Sequence, residues 1–223
     1  VELIVNPSAI GSPTRTACFV NTHSFNLAQK NSSLTGGIND SDYVFADGTG
    51  VRIAAQCFGF RLLDNVNGTD LLPPLCERTI EHGQSIYLLG AAPGVAKLAA
   101  SELSASFPGL KIAGTHHGFF EQRNTHQVIE KINQAKPDIL LVALGSPVQE
   151  LWIQANKKFL DVNIAIAVGG LFDFYSGRIP RAPLWLRRMG LEWVWRLTQE
   201  PKRMFRRYVI GNPVFLFRCF FKH

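Results

Sequence analysis

The sequence predicts an α/β protein: a mainly parallel sheet with flanking helices, carrying a basic, aromatic-rich helical appendage at its C-terminal end. Three observations lead there. Short apolar runs recur with helix-like segments between most of them, the alternation expected of parallel strands buried on both faces. Several of these runs end on glycine at the turn into the next helix. The charge is also lopsided: residues 178–223 hold nine Arg and two Lys against Glu192 and Glu200, net +9, so of the total +6 the first 177 residues carry −3.

Taken in order, residues 1–16 are poorly patterned, with Pro7, Gly11 and Pro13, and read as a lead-in or short strand. Strands are then predicted at 17–20, 43–46, 85–89, 110–113, 139–144 and 164–168, each a continuous apolar run. Helices are predicted at 24–30, 51–58, 70–82, 94–106, 125–134 and 149–159. After Phe174 the character changes. YSGRIPR (175–181) is a polar connection, and 182–198 sets Leu184, Trp185, Leu186, Leu191, Val194, Trp195 and Leu197 among arginines. Pro201 interrupts the pattern before a second basic stretch, KRMFRRY. The chain thus divides into a core, 1–177, and an appendage, 178–223. A basic, aromatic helix pair suits an anionic membrane surface, and arginine suits a diphosphate. The alternative is a helical hairpin packed on the core with its arginines solvated.

Composition narrows the setting. A chain of 223 residues can bury a proper core. Cys18, Cys57, Cys76 and Cys219 lie far apart, which argues against a zinc site or a disulfide framework and for a reducing compartment. No apolar run reaches the roughly 18 to 20 residues of a membrane span, and the N-terminus lacks a basic-then-apolar signal pattern, so a soluble or peripheral protein is expected. Valine at position 1 leaves the native start open. Nucleic acid is not an expected partner, because the core is acidic and no recognised module is present.

The candidate chemistry centres on YVFADGTGVRI, 43–53. An apolar run ends at Asp47 and a helix-like segment follows two glycines. Ligands of open α/β sheets sit in the crevice beyond the carboxyl ends of the strands, so a carboxylate there faces substrate. A plain turn or N-cap role is the competing reading. The turns LLGAAPG, LVALGSPVQ and AIAVGGLF add Gly90, Gly94, Gly145, Gly169 and Gly170 as backbone positions that could approach a nucleotide or diphosphate, unless tight packing alone requires them. Asp40 and Asp42 spell DxD but precede their strand, where they cap it. The adjacent His116 and His117 diverge and do not share a metal. Gly48, Gly50 and Ala54 make only an imperfect dinucleotide fingerprint. Three classes stay open on these residues: a transferase using a phosphorylated donor, a nicotinamide-dependent oxidoreductase, and a non-catalytic membrane-surface or partner-binding protein.

Several segments together resemble the WecG/TagA/CpsF glycosyltransferases, glycosyltransferase family 26: NTHSFNLAQKN, SDYVFADGTGVR, GTDLLPPL, LLGAAPGVA, GTHHGFF, PDILLVALGSPVQELWI, VGGLFDFYSGRIPRAP and LEWVWRLTQEPKRMFRRYVIGNPVFL. The resemblance runs from about Cys18 to Leu216. It implies a Rossmann-like core and an inverting, metal-independent enzyme without a cofactor. Such an enzyme moves a sugar from a UDP-sugar to a polyprenyl-diphosphate-linked sugar during bacterial surface-polysaccharide synthesis, at the inner face of the cytoplasmic membrane. Carried over by motif, it places the catalytic base on Asp47 and the glutamine of GxPxQExW on Gln149. Pocket positions fall on Asn21 and Thr22, and diphosphate-holding arginines on Arg196, Arg203 and Arg206. One departure stands out: where the family often has arginine before its GTDL-type motif, this chain has Asn65. Partial desolvation of Asp47 in a closed site would raise its pKa and make it a better base. Apolar surface near the appendage would serve lipid or a second subunit.

Overall fold

The computed structural model describes residues 1–6, 12–62 and 67–221. Six strands, β1 Arg15–Val20, β2 Tyr43–Ala46, β3 Ser85–Gly90, β4 Lys111–His116, β5 Ile139–Ala143 and β6 Ile164–Ala167, form one parallel sheet in the order β2-β1-β6-β5-β3-β4. Every residue of the central strands β5 and β6 is buried, whereas the edge strands β2 and β4 are only partly covered. That is why the central strands read as unbroken apolar runs. Alternate side chains leave opposite faces of a strand. Leu141 and Ile166 thus join Leu72, Leu75, Leu103 and Phe172 on one face, while Leu140, Val142 and Ala165 join Val128, Ile132 and Ile153 on the other.

The helices follow the predicted rhythm with three additions, α1, α3 and the short α9. They are α1 Glu2–Val5, α2 Thr22–Ala28, α3 Ser32–Asn39, α4 Thr49–Cys57, α5 Gly68–Glu81, α6 Val95–Ser106, α7 Thr125–Ala135, α8 Val148–Asn156 and α9 Leu171–Tyr175. The expected lead-in is partly α1, whose Ile4 and Val5 are buried in the core. The second addition, α3, is capped by Asn31, whose side chain accepts from Leu34 N. Its Gly37 is what obscures it in the sequence, and the missing side chain there admits Gln154, whose Nε2 donates to Gly37 O at 2.8 Å.

The appendage comprises α10 Leu184–Arg188, α11 Glu192–Gln199, α12 Pro201–Met204, a π-helical stretch Phe205–Ile210 and α13 Gly211–Phe221. Pro201 does not break this run. It opens α12, where its missing N–H is no loss. Met204 and Phe215 are buried, and Phe215 packs edge-on against Phe25 of α2 at 5.0 Å. Polar ties reinforce the contact: Thr22 Oγ1 donates to Asn212 Oδ1 at 2.7 Å, Asn26 Nδ2 to Gly211 O at 2.7 Å, and Arg218 Nη1 to Asn26 Oδ1 at 2.8 Å. No described helix is long and apolar enough to cross a membrane.

Candidate active site

Strand register builds the first half of the site. Val20 pairs with Ala46, so Asn21 and Asp47 are the first residues past the ends of neighbouring strands, and Asp47 N donates to Val20 O at 2.9 Å. Asn21 then caps α2 reciprocally with Ser24: Asn21 Oδ1 accepts from His23 N and Ser24 N, while Ser24 Oγ accepts from Asn21 N. With its oxygen committed to the helix, the Asn21 amide has only its nitrogen to offer, and Nδ2 donates to Asp47 Oδ2 at 3.2 Å. Asp47 keeps part of its surface open to a cleft and is otherwise enclosed. That burial pushes its carboxyl above the ordinary value, with Asn21, Arg207 and Arg196 pulling it back.

Gln149 joins two of the glycine turns. It is 3% exposed, and its Oε1 accepts from Gly145 N at 3.2 Å and from Gly169 N at 3.0 Å. Its Nε2 donates to Glu150 Oε1 at 2.9 Å, an oxygen that also accepts from Ser146 Oγ at 2.6 Å. A carboxylate can only accept, so Glu150 fixes which way the Gln149 amide faces. Gln149 therefore lines the cleft as a brace between the loops after β5 and β6. The two backbone N–H groups it holds are thereby not the ones free to meet a ligand.

The appendage closes the other side. The cleft, about 920 Å³, is lined by Asn21, Thr22, Asp47, Gly145, Gln149, Gly169 and Gly170 from the core and by Arg196, Arg203 and Arg206 from the appendage. Arg196 lies over the Phe174 ring at 5.0 Å, and a Cβ at Gly170 would come within 3.3 Å of its Nη2, so glycine there admits the guanidinium. Glu200 holds this edge together, pairing with Arg203 at 2.8 Å and reaching Arg196 at 3.9 Å. Arg187 pairs with Asp70 at 3.8 Å, and Asp70 also meets Arg181.

The structure corrects the sequence reading in several places. Gly90 ends β3, which lies beyond β5, and Gly94 follows it; neither lines this cleft. Gly90 answers to packing: a Cβ on it would sit 2.3 Å from Ala143 O. Asn65 lies outside the described residues. Thr22 does line the cleft, with its hydroxyl donating to Asn212 Oδ1 at 2.7 Å. Asp42 sits at the opposite end of the strands, accepting from Thr16 N at 2.7 Å. His116 Nδ1 donates to His117 O at 2.8 Å. Among the described residues no group of three or more His, Cys, Asp or Glu is placed to hold a metal.

Reading the sequence missed Lys30, Arg187, Arg218, His23 and Arg207, all of which line the cleft. Arg207 had a usable signal, since it stands four residues after Arg203 and so shares its helical face. His23 had none, because only the fold brings it beside arginines. Burial, then Arg207 and Arg203, lower its imidazole to about 4, which keeps it neutral at physiological pH.

The family described as "Glycosyl transferase WecG/TagA/CpsF family" matches residues 1–223. Among curated relatives, a Bacillus subtilis (strain 168) protein is 34% identical over 166 residues, 74% of this chain and 64% of the relative. A Bacillus spizizenii protein is 31% identical over 187 residues (84% and 72%), and one from Staphylococcus aureus (strain MW2) is 30% identical over 181 (81% and 70%). All three bear the name N-acetylglucosaminyldiphosphoundecaprenol N-acetyl-beta-D-mannosaminyltransferase. The chain spans a little under two thirds of the first of them.

Proposed function

The chain belongs to the WecG/TagA/CpsF family of glycosyltransferases, and from that premise we propose that it transfers a sugar from a UDP-sugar to a polyprenyl-diphosphate-linked sugar acceptor with inversion at the anomeric carbon. The observation that carries the reading is Asp47, a carboxylate held by Asn21 in a cleft whose appendage side carries arginines. An acceptor hydroxyl attacks the anomeric carbon from the face opposite the diphosphate. Its proton passes to Asp47 while the bond from the anomeric carbon to the diphosphate oxygen breaks and its electrons leave with UDP. Burial raises the carboxyl and so strengthens it as a base. Arg196, Arg203 and Arg206 are fixed charges suited to the departing diphosphate, a role that needs no divalent ion. Gln149 contributes by holding the turns after β5 and β6 at a set separation.

The outer surface of the appendage supports a peripheral position on the inner face of the cytoplasmic membrane, where a polyprenyl acceptor is found. Trp185, Phe205, Phe217 and Phe221 are exposed there beside the basic helices. The relatives' names make UDP-N-acetylmannosamine and N-acetylglucosaminyl-diphospho-undecaprenol the first pair to assay. Release of UDP with a short-chain analogue of that acceptor, persisting in EDTA, is the expected result. Asp47→Asn keeps the shape and removes the basicity, so turnover falls about a hundredfold or more while donor affinity changes little. Undiminished turnover in that variant, or tight NAD(H) binding without any UDP release, sinks the proposal.

A further inference from the structure

Arg207 stands apart from the other cleft arginines. It rises from the π-helical stretch Phe205–Ile210, where the wider turn resets the facing of the side chains. Arg196 and Arg203 share Glu200, and Arg181 and Arg187 share Asp70. Arg207 has no carboxylate within 4.0 Å among the described residues; its Nε is buried without a hydrogen-bond partner, and its guanidinium rests near the Tyr208 ring at 5.6 Å. Arg206 also lines the cleft but is exposed, whereas Arg207 is half-buried there. It is thus a desolvated cation, and its own pKa is pushed down by that burial. An anion entering the cleft would relieve it.

Resting on the transferase reading above and deepening it, we propose that Arg207 couples the arrival of a diphosphate group in the cleft to the proton-accepting strength of Asp47. The charged groups around Asp47 come from three elements. Arg207 of the π-helical stretch has the largest charge effect on it, Arg196 of α11 the next, and Asp70 of α5 opposes both. Around Arg207 itself stand Tyr208, Arg196 and Arg203 of the appendage and His23 of α2. Arg52, the charged residue of α4, is exposed. In the empty cleft the positive potential from Arg207 stabilises the Asp47 carboxylate and weakens it as a base. A diphosphate bound to Arg207 cancels that potential and adds negative charge nearby, so the carboxyl pKa rises. Asp47 becomes the stronger base only while the group to be displaced is in place.

The test follows the Asp47 carboxyl carbon by NMR in protein labelled with ¹³C at aspartate, assigned by its loss in Asp47→Asn, with inorganic pyrophosphate as the probe. Saturating pyrophosphate raises the wild-type midpoint by roughly one pH unit. In Arg207→Met the midpoint is already raised in the empty cleft and pyrophosphate moves it less. Arg207→Lys keeps the charge and behaves like wild type, and Arg52→Met, altered on the exposed face of α4 outside the cleft, leaves the midpoint in place. A wild-type midpoint indifferent to pyrophosphate overturns the coupling, as does failure of pyrophosphate to bind at millimolar concentration or the same response in Arg207→Met as in Arg52→Met. The wild-type arm does not depend on any Arg207 variant folding. It is also independent of sugar transfer: a protein that shows the shift but releases no UDP loses the transferase reading alone, and one that transfers without the shift loses only the coupling.

Discussion

The sheet core and the appendage are built inside out relative to each other. In the core, Ile86, Leu88, Leu140 and Ile164 are wholly buried and charge lies outside. In the appendage, Arg196 and Arg207 turn inward to the cleft while Trp185, Phe217 and Phe221 face out at 61%, 61% and 75% exposure. A free-standing helical hairpin would fold the other way, since apolar burial drives helix packing. The appendage can keep its cations inside because the cleft is polar and because Glu200 neutralises part of the charge. Its exposed rings then need a partner outside this chain, which is the physical argument for a lipid surface.

The largest expected effect breaks the core's side of the comparison. Gln149→Leu is close in size but cannot accept, so Gly145 N and Gly169 N lose their bond inside the protein. Two stranded donors should cost about 3 kcal/mol and lower Tm by roughly 10 °C, with activity falling as the loops loosen. Thermal unfolding followed by circular dichroism checks it, and an unchanged Tm would mean that the brace is idle. On the appendage side the same logic predicts the reverse pattern. Phe217 and Phe221 stack on each other at 5.4 Å and carry little of the fold. Replacing both with Ser should leave stability within about 0.5 kcal/mol per site yet weaken binding to anionic vesicles about tenfold. Equal vesicle binding would remove the lipid argument.

Core and appendage also differed in how far the sequence disclosed them. All six strands were legible as apolar runs, most clearly β5 and β6, whose residues are all buried, and Asp47 was legible because it follows one of the runs. Helix α3 was hidden by the Gly36–Gly37 pair, whose cost in helix propensity is offset by close packing of Gln154, a tertiary contact. Gly90 was misread because glycine demanded by a neighbouring backbone and glycine demanded by a ligand look alike in sequence. The inward aim of the appendage arginines was not readable either. It depends on the π-helical stretch and on ties such as Thr22–Asn212, which join residues 190 positions apart. The brace made by Gln149 and Glu150 needed coordinates, since a motif names residues without saying that their amide is already spent.

An effect confined to acid pH tests the seam between the two regions. His23 belongs to the core helix α2, but the arginines that depress it, Arg207 and Arg203, belong to the appendage. Its pKa is about 4 in the folded protein against 6.5 ordinarily, with burial the larger cause. Between those values the unfolded chain binds the proton and the folded chain does not, so stability rises with pH across the window and is lost as pH falls through it. Wild-type Tm should therefore decline from pH 6.5 to pH 4 more steeply than that of His23→Gln, whose side chain does not titrate, and the two curves should run parallel above pH 6.5. Comparing the two proteins cancels the contribution of carboxylates common to both. Arg207→Met should soften the wild-type decline, because part of the electrostatic penalty on the imidazolium leaves with the guanidinium. If the wild-type and His23→Gln curves stay parallel down to pH 4, His23 is free of the appendage and the two regions do not share a common electrostatic field.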